Sequence, residues 1–224
     1  MASITASPAI TAPIPWRRAL RWAFTAMLAA GISGFVVGGV LGRGAMRILA
    51  VTSPPIAQGR LTDDAARVGQ FTLSGSFGLA VAVGMGSALI VAPAYLLARR
   101  ILPRSRWGRV GGMALATGAV GGALLVHDHP SFDYTILQPT WLAVAFFVAV
   151  PAGVGALTAF LTELLAPAPG PRLPGRLAHV WRGRAVTVVG TTAYWLVVAW
   201  GLYNIGADVL SLATDRASSA PWTL

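Results

Sequence analysis

The sequence predicts an all-α integral membrane protein: a compact bundle of five transmembrane helices with its N-terminus in the cytoplasm and its C-terminus outside. Three observations carry that prediction. Five long apolar stretches, at 22–41, 71–98, 110–126, 141–165 and 185–207, approach or exceed the roughly 20 residues that cross a hydrocarbon core. Hydrophobic residues make up 55% of the 224 and charged residues 11%, more apolar surface than a water-facing domain can hide. Positive charge alternates between loops, which orients the spans.

All seventeen basic residues are arginine. Arg17, Arg18 and Arg21 precede the first span, Arg99, Arg100, Arg104, Arg106 and Arg109 follow the second, and Arg172, Arg176, Arg182 and Arg184 lie between the fourth and fifth. With five spans these twelve share one side, against Arg43, Arg47, Arg60, Arg67 and Arg216 on the other, where carboxylates offset them. The net charge of +10 is therefore a topological signal, and no nucleic-acid partner is implied. Without lysine there is no retinal-type Schiff base, and without cysteine no disulfide, thiolate metal site or iron–sulfur cluster. No cofactor is implied.

Residues 1–15, rich in Ala, Ser, Thr and Pro, read as a disordered cytoplasmic tail, 16–210 as a single five-span membrane domain and 211–224 as an extracytoplasmic tail. The first span is longer than a signal-peptide core and is read as retained. In the outer loop after it, 44–51 is a short apolar stretch, and Thr62 before Asp63 and Asp64 suits a helix N-cap, so short interfacial helices are expected there. The third span is barely long enough and stops at His127-Asp128-His129-Pro130. Pro93 in the second span and Pro151 in the fourth each remove a backbone hydrogen bond and predict helix kinks. The proline-rich 167–175 stretch is a stiff cytoplasmic linker, and Trp16, Trp22, Trp107, Trp141 and Trp181 stand near span ends as an aromatic belt requires.

Lipid supplies no hydrophobic drive between helices, so close approach through small residues has to hold the spans together. The expected faces are Gly34, Gly38 and Gly42; Ser74, Gly78, Ala82 and Gly86; Gly108, Gly112 and Ala116; and Ala145, Ala149 and Gly153. The expected partners are the lipid bilayer and, through such faces, other membrane proteins or further copies of this chain.

Candidate chemistry gathers on the outer side. Arg43 and Arg47, one helical turn apart, run against the charge bias and need partners. A salt-bridge network with Asp63, Asp64, Asp128, Asp133 or Asp208 is one answer. An anion or lipid-headgroup site is the other, since two arginines one turn apart can clamp a phosphate. Asn204 and Asp208 share a face near the outer end of the fifth span and complete this polar cluster. His127, His129 and Asp133 are the metal-ligand candidates, but a zinc site needs three or four ligands and this side offers two histidines and no cysteine. The sequence thus assigns no metal, reads His127, Asp128 and His129 as caps and loop contacts, and assigns no catalytic residue. Gly31-Ile32-Ser33-Gly34 matches the GxSG pattern of rhomboid proteases, yet no histidine lies within a span to activate Ser33, which reads as a packing residue. Glu163, near the cytoplasmic end, is expected to pair with a loop arginine.

In GRGAMRILA at 42–50, GRLTDDAARVGQFTLSG at 59–75 and DHPSFDYTILQPTWLAVAFF at 128–147 the chain resembles a group of uncharacterised actinobacterial-type multi-pass membrane proteins. That resemblance implies an all-helical membrane fold and a bacterial inner-membrane location, and no function. The expected role is a non-enzymatic membrane component of accessory or sensing type. The alternatives are a small-solute or lipid transporter with an outward-facing polar vestibule, and an outer-face metal-dependent enzyme.

Overall fold

In the computed structural model, which describes residues 15–60, 69, 72–126, 138–166 and 184–219, every regular element among the described residues is helical. Helix α1 (Pro15–Ser33) runs into a π-helical segment (Gly34–Leu41) and on into α2 (Gly42–Thr52), and a short 3-10 turn (Pro55–Ala57) follows. Helices α3 (Leu73–Ala98), α4 (Arg106–Leu125), α5 (Thr140–Leu165) and α6 (Arg184–Ser219) complete the described chain. Four helices are long and apolar enough to cross a membrane: Trp16–Thr52, Leu73–Ala98, Thr140–Leu165 and Thr187–Thr214. Helix α4, with 20 residues, has the length, about 30 Å at 1.5 Å per residue. It lacks the apolarity, because six of its residues are glycine and Arg106 and Arg109 stand in its first turn. It packs between α5 and α6.

The helices pack in the order α3, α1, α5, α4, α6, and α5 also reaches α3. Glycine sets the spacing between the first arm and α3. A Cβ on Gly34 would sit 2.6 Å from the Val83 carbonyl oxygen, and one on Gly39 2.5 Å from the Ala80 Cα, so only a bare backbone fits at either position. Helices α4 and α5 meet as closely: a Cβ on Gly155 would fall 2.8 Å from the Met113 carbonyl oxygen, and the Pro151 ring rests on Gly121. Ser105 starts α4, its hydroxyl accepting the Gly108 amide at 3.0 Å in the usual N-cap geometry. At the far end of the bundle Leu49, Ala50, Val126, Ala143 and Leu212 form a buried cluster that joins α2 to the ends of α4, α5 and α6. The Ser53 hydroxyl ties the same corner, donating to the Leu49 carbonyl at 2.6 Å and accepting the Gln138 amide at 3.0 Å.

Several expectations are corrected. The separate outer stretch at 44–51 is the last turns of one 37-residue helix, Trp16–Thr52, because no proline or polar break interrupts the chain at Gly42 and the π-helical register carries the backbone hydrogen bonds across the glycines. The last helix runs on past the 185–207 apolar stretch to Ser219. Pro93 and Pro151 lie inside α3 and α5 as expected, and the Pro151 ring is seated in the glycine gap of α4. The small-residue faces are right for Gly34 and Gly38 but displaced on α3 and α5. Ser74, Gly78 and Ala82 are exposed, and a Cβ on Gly78 or Gly86 would meet nothing; α3 packs through Ala80, Gly84, Ser87, Ala92 and Tyr95 instead. On α5 the expected Gly153 is in contact, a Cβ there falling 2.9 Å from Val37 Cγ1, but the exposed Ala145 and Ala149 give way to Ala143, Val154, Gly155, Thr158, Ala159 and Thr162.

Candidate functional site

Charged and polar side chains gather at two places, one at each end of the bundle. At the arginine-rich end, Tyr95 and Arg99 are four residues apart and so share a face of α3, Arg109 stands in the first turns of α4, and Glu163 points in from the last turns of α5. Glu163 Oε1 accepts the Tyr95 hydroxyl at 2.6 Å and the Arg99 Nε. Its Oε2 accepts Arg109 Nη1 at 2.7 Å and Arg99 Nη2 at 3.3 Å. Tyr95 is fully buried and the Glu163 side chain is 12% exposed, so the carboxylate is largely removed from water. Aromatic rings flank the arginines: the Arg99 guanidinium lies 4.3 Å from the centre of the Trp22 ring, and that of Arg106 4.0 Å from the Phe160 ring.

This arrangement is a clamp. A carboxylate offers about four lone-pair directions, and four donor contacts occupy them, leaving no free oxygen for a proton relay or a cation. The expected pairing of Glu163 with a loop arginine is realised twice. Sequence reasoning missed the parts that Tyr95 and Trp22 play. The Tyr95/Arg99 spacing was a visible signal, whereas Trp22, read as a belt residue, is 3% exposed beneath Arg99. Trp16, Trp107 and Trp141 do keep exposed rings near helix ends.

At the other end, α2 and α3 enclose an open pocket of about 760 Å³ whose lining includes Arg43, Arg47, Gly69, Phe35, Val40, Leu73 and Phe77. Arg43 is half-buried, and its Nε is shielded from solvent with no hydrogen-bond partner. Arg47 donates from Nη1 to the Gly69 carbonyl at 3.2 Å. Phe35 and Phe77 meet edge to face at 6.3 Å on the apolar side of the pocket.

The structure does not bring Asn204 and Asp208 to this pocket; they lie half-buried on α6, where the Asn204 side-chain amide donates to the Trp200 carbonyl at 2.7 Å. Asp63, Asp64, His127, Asp128, His129 and Asp133 lie outside the described residues, and with them the metal-ligand candidates. Among the described residues no three His, Asp or Glu side chains come together as a metal site would need. Ser33 is fully buried and donates to the Ala29 carbonyl at 2.6 Å, the geometry of a packed helix residue. No protein-family model, curated protein or solved structure matches the chain.

Proposed function

We propose that this chain is a polytopic component of a bacterial inner membrane that crosses five times, with the N-terminus cytoplasmic and the C-terminus outside, and acts as a non-enzymatic subunit of accessory or sensing type. The observation that carries the reading is the saturated Glu163. A carboxylate that serves a proton- or ion-coupled transporter, or an acid–base catalyst, has to be able to exchange its partner. Glu163 instead receives donors from Tyr95, Arg99 and Arg109 at once and serves to join α3, α4 and α5. The orientation is supported by twelve arginines on one set of loops against five on the other. In this orientation α4 is the third of the five crossings, added to the four long apolar helices, with its glycine-rich surface shielded by α5 and α6.

The Arg43/Arg47 pocket favours a second reading, a lipid or small-solute transporter that opens outward. Purified protein in proteoliposomes separates the two. The accessory role predicts lipid scrambling and anion flux no faster than in protein-free vesicles. A protein-dependent rate that Arg43→Gln abolishes would assign the chain to transport.

A further inference from the structure

From the Arg43/Arg47 pocket we infer a binding site for one anionic phospholipid, with the phosphate held between the two guanidinium groups and an acyl chain laid along Phe35, Val40, Leu73 and Phe77. The inference goes beyond the accessory role and does not require transport. Three observations meet in it.

The first is depth. Helix Trp16–Thr52 has 37 residues, about 55 Å at 1.5 Å per residue, far more than the roughly 30 Å hydrocarbon core. Trp22 lies beneath Arg99 at one end of the bundle, and about 20 residues from Trp22 reach Gly42. Arg43 and Arg47 therefore fall in the next turns, at the level of the lipid headgroups.

The second is unmet donor capacity. Each guanidinium carries five N–H groups. Arg47 uses one on the Gly69 carbonyl, and the buried Nε of Arg43 has no partner. A shielded, unsatisfied cationic donor is costly to maintain, and a phosphate oxygen is the acceptor that a planar guanidinium fits best.

The third is the wall. The pocket's other lining side chains are mainly apolar, and Phe35, Val40, Leu73 and Phe77 all carry exposed surface. A free anion would fill the cationic end and leave this wall uncovered. A headgroup with its chain attached covers both, which makes a lipid the better match to a pocket of about 760 Å³.

Native mass spectrometry of the detergent-purified protein, titrated with phosphatidylglycerol or with phosphatidylcholine, tests the site. One phosphatidylglycerol should be retained, at least tenfold better than phosphatidylcholine. Arg43→Gln together with Arg47→Gln should reduce retention at least tenfold, while Arg104→Gln, which removes an arginine from the opposite loop, should leave it unchanged. Gly44→Leu supplies a second route, since a Cβ there meets no neighbour and the side chain would obstruct the pocket without disturbing the fold. It too should reduce retention at least tenfold. Equal retention by the double arginine variant, or by Gly44→Leu, would overturn the site. So would inorganic phosphate competing for it at concentrations comparable to the lipid, which would mark a free-anion site. Because this readout is occupancy and the preceding one is flux, a bound lipid without flux supports both readings, and failure of one leaves the other standing.

Discussion

Glu163 on α5 and Arg109 at the start of α4, 54 positions apart in sequence, meet at 2.7 Å through Oε2 and Nη1. The contact fixes the end of one helix against the beginning of another, and Arg99 binds the same carboxylate from α3. Three helices are thus held in register at one end by a single acidic side chain. Between α4 and α5 the Arg106 guanidinium over Phe160 and the Pro151 ring against Gly121 add to this register.

Removing the acid should therefore cost more than removing any one donor. Glu163→Gln leaves two shielded guanidinium groups without their counter-charge and should destabilise the bundle by about 3–5 kcal/mol. Tyr95→Phe loses one hydrogen bond to a charged acceptor, about 1.5–3 kcal/mol. Thermal unfolding in detergent, followed by circular dichroism, should rank Glu163→Gln below Tyr95→Phe and both below the parent. An unchanged melting temperature for Glu163→Gln would show that the clamp contributes nothing.

Glycine positions that look alike in sequence should respond oppositely. Gly39→Ala drives a methyl group into Ala80 and should cost about 1–3 kcal/mol. Gly78→Ala adds the same group on the open side of α3, where it meets nothing, and should be neutral or stabilising by up to about 1 kcal/mol. Comparing the two melting temperatures checks which face of α3 is packed. Equal losses would mean that the Gly78 face is also in contact.

Helix α6 is the least enclosed of the four long apolar helices, with 11% of its most apolar window buried against 39% for the first. Two contacts stand out in its attachment to α4. The Tyr194 hydroxyl donates to the Gly112 carbonyl at 2.7 Å, and Gly201 rests on the backbone of Ala119. Tyr194→Phe should cost about 1 kcal/mol, and Gly201→Leu considerably more, since its side chain would meet α4 backbone. Amide hydrogen exchange should rise first in α6 and leave α5 unaltered. A uniform rise across the bundle would contradict this view of α6 as a separately attached helix.

The helical class and the positions of the long apolar segments were legible in the sequence, because length and hydropathy alone mark a helix that can span lipid. Which face of each helix turns inward was not. Lipid and protein interior are both apolar, so Ala145 and Ala143, or Gly78 and Gly84, look equivalent until a neighbouring helix is placed. The first helix was the exception in part: Gly34 and Gly38 of the expected face do meet α3, but the third contact is made by Gly39 and not Gly42. Continuity was also hidden: the apolar run weakens at Gly42-Arg43-Gly44, which reads as a span end, yet the backbone stays helical through Thr52. Arg43 and Arg47 were legible as a pair one turn apart, whereas the apolar wall that Phe35, Val40, Leu73 and Phe77 place beside them was not. The pairing of Glu163 was legible as a charge that needed a partner. Its third donor, Tyr95, is ambiguous in sequence, because a tyrosine near a span end also suits the lipid interface.

The central claim, a bundle that crosses the membrane an odd number of times with its arginine-rich end inside, is tested most directly by paired reporter fusions after Arg104 and after Leu224. A cytoplasmic reporter should be active after Arg104 and silent after Leu224, and a periplasmic reporter should give the reverse. Both fusions reporting the same compartment would contradict five crossings and leave α4 as a helix that does not traverse the bilayer.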